Sequence, residues 1–164
     1  MSKNNQDTWL LTPGPLTTSM QTKRAMLHDW GSRDINFIAT NKRVLSELIN
    51  IANGKESHVC VPLQGSGTFI VEAVISTMIP KEGKSLVLVN GAYGKRIVKI
   101  LQYAKKEYAI LETPEDKPPD LGKLEITLKS DKNITHVLVI HCETTSGILN
   151  PIEKIAQITK ENNR

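Results

Sequence analysis

Aromatic residues are scarce in this sequence, at 4% of 164 residues, so aliphatic side chains must supply most of any core. The hydrophobic fraction of 39% is ordinary for a globular domain and large enough to bury one. No apolar run reaches the length that a bilayer-spanning helix needs. Residues 1–7 are polar and lack the apolar stretch of a signal peptide, so we expect a cytoplasmic protein with no membrane partner.

Cysteine is nearly absent, with Cys60 and Cys142 as its two occurrences. Each follows a stretch of apolar residues, and their separation does not match the spacing of metal ligands. We therefore expect two buried free thiols in a reducing compartment and no metal site.

Concentrated charge of one sign is also missing. The formal net charge is +4, but the basic residues are spread along the chain, and the densest group, Lys95, Arg96 and Lys99, has no interleaved aromatic residues. This pattern favours a solvated basic surface over a nucleic-acid interface.

The sequence does contain an alternation of helical and strand-like patterns. We predict a short N-terminal segment over residues 1–30, followed by alternating strands and helices over 31–164 with no linker. Asp34 is the expected cap of a long helix with one apolar face, and Asn53-Gly54 its stop. The predicted helices are 17–29, 34–51, 66–79, 92–104, 121–130 and one with Pro151 at its first position; the predicted strands are 58–63, 85–89, 107–111 and 135–142.

Strands that alternate with helices indicate βαβ units and an α/β fold. The expected architecture is a mostly parallel sheet with helices on both faces, a three-layer αβα arrangement. Ligands of such sheets bind at the carboxyl ends of the strands. Unusual residues follow three of the predicted strands, and these are the candidate binding segments.

The first candidate segment is Gln64-Gly65-Ser66-Gly67-Thr68, between a predicted strand and a helix. Glycines allow close backbone approach, and a helix start offers free N–H groups and the positive end of a dipole, which together suit a phosphate. The segment is neither a P-loop nor a complete dinucleotide fingerprint, because no Gly-Lys-Ser/Thr follows and Ile70 replaces the third glycine. A plain glycine turn with a serine cap is the alternative.

The other two segments are 90–96, where Gly91 and Gly94 flank Tyr93, and 141–147, which carries Glu143 and Thr144. A tyrosine ring at a strand end can stack on a flat cofactor or simply cover the sheet edge. The hydroxyls of the third segment can bind a ligand or form a local turn. Together, the three segments suggest a ligand with a phosphate at one end and a flat polar ring at the other.

Four stretches closely resemble the 2-aminoethylphosphonate–pyruvate aminotransferases, which are fold-type I pyridoxal-phosphate enzymes. The resemblance covers nearly the whole chain in the right order and spacing. The matching stretches are residues 10–18, 63–67, 89–94 and 143–151.

The resemblance implies roles for individual residues. Ser66, Gly67 and Thr68 would hold the phosphate of pyridoxal 5'-phosphate, Tyr93 would stack on its ring, and Thr144 would bind the ring or its substituents. Gly14 and Arg33 would lie on the substrate side, near the mouth of the site. The family reaction moves the amino group of 2-aminoethylphosphonate to pyruvate, in phosphonate catabolism, and family members are homodimers.

The resemblance also implies that this chain contains no catalytic residue. The family's Schiff-base lysine and ring-nitrogen aspartate would lie beyond Arg164, in a protein of roughly twice this length. We therefore expect residues 1–164 alone to be inactive as a transaminase.

Three alternative readings remain open from the sequence. The chain could belong to a serine–pyruvate or alanine–glyoxylate type aminotransferase. A substrate panel on the complete protein would separate this alternative from a 2-aminoethylphosphonate–pyruvate aminotransferase. It could be a non-catalytic module that binds a phosphate ligand. It could also be a non-functional truncated product.

Overall fold

The computed structural model describes residues 7–12 and 14–164, which fall in two compact units divided between Gln64 and Gly65. Each unit has its own internal packing. Among the helices in the described ranges, none combines the length and apolarity that crossing a membrane requires.

The first unit contains two helices, α1 (Met20–Ala25) and α2 (Ile35–Ile51). The Asp34 side chain accepts hydrogen bonds from the amides of Asn36 and Phe37, at 2.8 and 3.2 Å, and so confirms the predicted cap of α2. The stop at Asn53-Gly54 is also confirmed, because Asn53 takes the left-handed conformation with φ of 52°. Helix α1 is shorter than the predicted 17–29 at both ends, and its start is set by Ser19, whose hydroxyl accepts a hydrogen bond from the Thr22 amide.

The apolar face of α2 is not covered within the described residues. None of its residues is buried, and Ile35 and Ile51 are each 79% exposed. The apolar periodicity therefore predicted the helix and its apolar face, and the described residues leave that face exposed.

The predicted strand at 58–63 is wrong for this structure. A strand exists through hydrogen bonds to a neighbouring strand, and no strand in the described part of the chain pairs with this segment. Its apolar side chains are largely exposed, with Val59 at 84% and Val61 at 70%.

The second unit is built on a three-stranded parallel sheet, in which β1 (Lys84–Val89) lies between β2 (Glu107–Glu112) and β3 (Ile134–Val139). The central strand pairs with both neighbours, so that Leu86 lies opposite Ala109 on one side and Val137 on the other. The elements in chain order are α3 (Gly67–Met78), β1 (Lys84–Val89), α4 (Ala92–Tyr103), β2 (Glu107–Glu112), α5 (Leu121–Ser130), β3 (Ile134–Val139), β4 (Cys142–Glu143), β5 (Ile148–Leu149) and α6 (Ile152–Glu161).

The core of this unit lies on both faces of β1. Val87 and Val89 point to one face, where they pack with residues of α3 and α4 such as Ile75 and Leu101. Leu86 and Leu88 point to the other face, against residues of α5 and α6. Because successive strand residues alternate in direction, the continuous apolar run of β1 feeds two cores. This arrangement confirms the predicted three-layer αβα fold.

The predicted strand at 135–142 is too long. Strand β3 ends at Val139, and Cys142 and Glu143 form a separate antiparallel pair with β5. The turn between β4 and β5 closes through a hydrogen bond of 2.7 Å from the Gly147 amide to the Glu143 carbonyl, with Gly147 at φ of 76°.

Three smaller expectations are also corrected by the structure. Pro151 is the N-cap of α6 rather than its first residue. The two cysteines are free thiols, but Cys60 is half-buried and Cys142 is exposed. Cys142 lies in the short hairpin rather than inside a covered strand, which accounts for its exposure.

Candidate functional site

The candidate site lies where the carboxyl ends of β1 and β3 are neighbours. Strand β2 lies on one side of β1 and β3 lies on the other. The connections that leave β1 and β2 therefore run to opposite sides of the sheet order, which makes β1 a topological switch point. Such a switch point leaves a crevice at the strand ends, which is where open α/β sheets bind ligands. Segment 90–94 follows β1 and segment 140–150 follows β3.

Two buried asparagines join these segments. The Asn90 and Asn150 side-chain amides exchange two hydrogen bonds, of 2.9 and 3.0 Å. Their remaining N–H groups donate to the carbonyls of Lys117 and Ile140, at 3.0 and 2.7 Å. The two bonds between the asparagines are buried and all the side-chain N–H groups of the pair have acceptors, so the pair ties the end of β1 to the hairpin after β3.

Glu143 caps helix α4 from the neighbouring segment. Its side chain is fully buried, and its two carboxylate oxygens accept hydrogen bonds from the amides of Tyr93 and Gly94, at 3.3 and 3.2 Å. Thr145 donates to the same carboxylate through its amide and hydroxyl, and its Oγ1 accepts from the Ala92 amide at 3.0 Å. The unpaired N–H groups at the start of α4 are thus satisfied by side chains of the β4–β5 hairpin.

Burial of Glu143 works to raise the pKa of its carboxyl, but the hydrogen bonds from Thr145, Tyr93 and Gly94 outweigh burial and hold that pKa below its ordinary value of 4.5. The carboxylate is therefore ionised at neutral pH. A negative charge at the start of α4 is also stabilised by the helix dipole.

The start of helix α3 has a different environment. The Ser66 hydroxyl accepts from the Phe69 amide at 3.2 Å, and within the described ranges the Gly67 and Thr68 amides have no acceptor. A side-chain carbon added at Gly67 would meet nothing within 4 Å. Gly65 has φ of 144°, which favours glycine, and an added carbon there would lie 2.8 Å from the Phe69 ring. The α3 terminus is thus an open cradle with free donors.

Arg96 connects this cradle with the tyrosine. Its guanidinium Nη1 donates to the Thr68 hydroxyl at 3.0 Å, and its central carbon lies 4.4 Å from the centroid of the Tyr93 ring. The second contact is a cation–π interaction. The arginine adds a positive charge to the edge of the cradle, which suits an anionic ligand.

The structure brings four of the predicted residues into one connected group: Ser66, Gly67, Thr68 and Tyr93 all lie at the starts of α3 and α4, joined through Arg96. Thr144 lies exposed on the neighbouring hairpin. Among the described residues it is Thr145, not Thr144, whose hydroxyl holds that hairpin to α4.

Gly14 and Arg33 belong to the first unit, where both are exposed. Their assignment to the substrate side stays a prediction. The turn predicted at Thr12-Pro13-Gly14-Pro15 is described in part: the Thr12 hydroxyl donates to the Pro15 carbonyl at 2.7 Å, and Pro13 lies outside the described residues.

Sequence reasoning missed the supporting residues of the site. The partner of Glu143 lies 50 residues away and that of Asn90 lies 60 residues away, and a single sequence carries no signal for such pairs. From the sequence, Arg96 was predicted only to be part of a solvated basic group. Its position three residues after Tyr93 puts both on one face of α4, and this spacing could have revealed the contact.

Comparison with known proteins identifies relatives of the chain. No protein-family model matches it. The chain is 51% identical over 155 residues to the 2-aminoethylphosphonate–pyruvate transaminase of Pseudomonas fluorescens strain Pf0-1, and 52% identical over 155 residues to that of Pseudomonas aeruginosa strain PAO1. Each alignment covers 94% of this chain and 42% of the relative. The chain thus spans less than half the length of these relatives.

Solved structures of aminotransferases have the same fold. The pyridoxamine–pyruvate aminotransferase of Mesorhizobium loti superposes with a TM-score of 0.84 at 23% identity, over 99% of this chain and 41% of that one. The chain is thus similar in sequence to part of the 2-aminoethylphosphonate–pyruvate transaminases, and it has the aminotransferase fold that the resemblance predicted.

Proposed function

We propose that this chain is part of a pyridoxal-phosphate-dependent 2-aminoethylphosphonate–pyruvate aminotransferase. The reaction transfers the amino group of 2-aminoethylphosphonate to pyruvate and yields phosphonoacetaldehyde and L-alanine. The observation that carries the proposal is the identity of 51% over 155 residues to a transaminase of that name. The resemblance of the four sequence stretches points to the same activity.

The α3 cradle supports a binding role for Ser66, Gly67 and Thr68 toward the cofactor phosphate. The amides of Gly67 and Thr68 have no acceptor among the residues that the structure describes, and together with the open space at Gly67 and the dipole of α3 they fit an anion. The cation of Arg96 at the Thr68 hydroxyl adds to this fit. The chemistry of these groups thus agrees with a phosphate monoester.

Tyr93 and Thr144 are proposed to orient the cofactor ring. The Tyr93 ring is half-buried, and its position at the start of α4 lets it form a flat wall next to the cradle. Thr144 presents a hydroxyl from the adjoining hairpin that can bond a ring substituent. When bound, pyridoxal phosphate supplies an electron-withdrawing ring that stabilises negative charge on the carbon of the amino donor.

The remaining roles follow from the resemblance. Gly14 and Arg33 are proposed to lie on the substrate side. The complete protein is proposed to be a cytoplasmic homodimer that acts in phosphonate catabolism. We further propose that residues 1–164 by themselves have no transaminase activity, since the family's Schiff-base lysine has no counterpart among the motifs matched here.

The test uses the product of the complete reading frame that contains this chain. It is incubated with 2-aminoethylphosphonate and pyruvate, and alanine and phosphonoacetaldehyde are quantified. Equal formation of both products, dependent on added pyridoxal phosphate, is the expected result. Residues 1–164 serve as the control and should form neither product.

A substrate panel sharpens the same experiment. Serine and alanine are offered as amino donors, and glyoxylate as an acceptor. Faster turnover with serine or with alanine and glyoxylate than with 2-aminoethylphosphonate and pyruvate would replace the proposed activity with one of a related aminotransferase. A product that binds pyridoxal phosphate yet transfers no amino group would contradict the enzymatic role altogether.

A further inference from the structure

We infer that Glu143 is a positioning residue of this site. Its carboxylate fixes the first turn of α4, which contains Tyr93 and is called the Tyr93 turn below, against the β4–β5 hairpin. Its negative charge also directs the anionic group of the ligand to the start of α3 instead of the start of α4. Its positioning of the two segments follows from geometry alone. Its effect on cofactor binding rests on the proposed function.

The first step concerns the hydrogen bonds. The N-cap residue of α4 is Gly91, which has no side chain to satisfy the helix amides. The Glu143 carboxylate takes that role instead and reaches the Tyr93 and Gly94 amides from 50 and 49 residues away. A cap supplied from another element fixes the helix start and the hairpin relative to each other, and Tyr93 is a residue of that capped turn.

The second step concerns the space at Gly91. A side-chain carbon added there would lie 2.4 Å from both Cγ and Cδ of Glu143 and 2.8 Å from its Oε1. The backbone of Gly91 at φ of 165° is extended and open to any residue, so the requirement for glycine comes from the carboxylate alone. The Glu143 side chain thus fills the space that a side chain at position 91 would need, so the two segments are in close contact.

The third step compares the two helix termini of the site. Both α3 and α4 begin at this edge of the unit, and both dipoles attract an anion. At α4 the protein's own carboxylate occupies the amides, whereas Gly67 and Thr68 of α3 keep theirs free among the described residues. A phosphate is therefore repelled from α4 by Glu143 and accepted at α3 beside Arg96.

The experiment measures hydrogen exchange of single amides by NMR in the product of the complete reading frame that contains this chain, without ligand. In Glu143→Gln, the side chain presents an N–H group to one of the two helix amides, so one hydrogen bond becomes a clash of donors. Protection of the Tyr93 and Gly94 amides should fall about tenfold or more, the effect of one lost bond to a charged group. Protection of the Val87 and Leu88 amides in β1 should be unchanged and reports that the sheet is intact.

A matched control is available at another helix. Asp120 caps α5 through the Lys123 amide at 3.0 Å, and Asp120→Asn makes the same chemical change away from the site. Because the amide oxygen of asparagine can accept the single Lys123 bond as the carboxylate does, protection at Lys123 should stay close to that of the wild type, and Tyr93 and Gly94 should also be unchanged. Equal protection of Tyr93 and Gly94 in wild type and Glu143→Gln overturns the inference.

Gly91→Ala supplies a second variant if Glu143→Gln does not fold. It keeps the charge but displaces the carboxylate, and we expect the same loss of protection at Tyr93 and Gly94. Wild-type protection in Gly91→Ala also overturns the inference. If neither variant folds, Thr145→Val is measured; it removes one donor to the carboxylate, and unchanged exchange at Ala92 and Tyr93 counts against the inference.

Cofactor binding gives a separate readout in the product of the complete reading frame. Pyridoxal phosphate should bind Glu143→Gln about tenfold more weakly than the wild type, since the Tyr93 turn is loosened. If the wild type itself does not bind pyridoxal phosphate, the proposed function fails while the exchange data still decide the positioning role. If exchange changes but affinity does not, the effect of Glu143 on the cofactor is refuted.

Discussion

At the scale of single residues, the contact between Gly91 and Glu143 determines how the site is held. The glycine has no side chain because the carboxylate fills that space, and the carboxylate is ionised because three backbone amides and one hydroxyl donate to it. Among the described residues, the side chain of Glu143 makes no hydrogen bond to the cradle at α3. The role of Gly91 and Glu143 is to fix the residues around a ligand rather than to bind it.

The ionisation of Glu143 predicts a dependence of stability on pH. Since its pKa in the folded chain lies below the ordinary value of 4.5, its contribution is complete above that value and is lost as the pH falls through the folded pKa. Chemical unfolding of wild type and Glu143→Gln is compared between neutral pH and about pH 3. The wild type should be the more stable at neutral pH, and the difference should shrink in acid. A difference that is constant over this range would contradict the prediction.

Residue chemistry could be predicted where a partner is close in sequence. Asp34 caps α2 as expected, and Ser66 caps α3, which the sequence offered as the alternative to a phosphate-binding role. The sequence places Glu143 in the third candidate segment but does not indicate its partner. The amides that Glu143 binds belong to a segment 50 residues earlier, and only the folded sheet brings the two together.

At the scale of elements, helices were predicted more accurately than strands. Helix α5 is observed at Leu121–Ser130, as predicted, because its cap Asp120 and its apolar spacing are local signals. Strand limits depend on neighbours that the sequence does not reveal. The run that ends in Val139 continues as apolar residues, yet its pairing with β1 stops there and a hairpin follows.

The cap of α3 leads to a prediction for anion binding. In Ser66→Ala the α3 terminus loses a side-chain hydrogen bond, which lowers stability by about 1 kcal/mol. Loss of the hydroxyl should also weaken pyridoxal phosphate binding about tenfold, the effect of one hydrogen bond to a charged group. Thermal unfolding of the product of the complete reading frame measures both effects: the unfolding temperature without pyridoxal phosphate reports the stability, and its rise with added pyridoxal phosphate reports the affinity.

Ser19→Ala is the control for this prediction. Ser19 caps α1 through the same kind of bond, to the Thr22 amide at 3.1 Å, but belongs to the other unit. It should change stability without changing affinity. Wild-type affinity in Ser66→Ala would remove that residue from the phosphate site.

At the scale of the whole molecule, the alternation of elements predicted the layered fold but not the order of the strands. Each βαβ unit is local in sequence, which is why the αβα class could be predicted. The order β2-β1-β3 depends on which side of β1 each later strand joins, and apolar runs look alike on either side. The exposure of the first unit was likewise not predictable from its amphipathic pattern.

The exposed apolar face of α2 predicts self-association of residues 1–164. Ile38 and Leu48 lie on this face and are 41% and 46% exposed, and a contiguous apolar surface favours association. Light scattering should detect oligomers of the wild type and mainly monomers of a variant with Ile38→Lys and Leu48→Lys.

The matched control is a variant with Ser46→Lys and Asn50→Lys, which are substitutions on the opposite face of α2. This variant has the same added charge and should associate as the wild type does. A fully monomeric wild type, or equal association of both variants, would show that the face does not drive assembly.

The long sequence separation across the Asn90–Asn150 pair also affects how the site is made on the ribosome. Helix α4 emerges early, but the carboxylate and the second asparagine arrive only after β2, α5 and β3 have been synthesised. During that interval the first turn of α4 has no cap and the end of β1 no tether. The ligand cradle and its scaffold therefore mature as a late, non-local step of folding, after the local helices have formed.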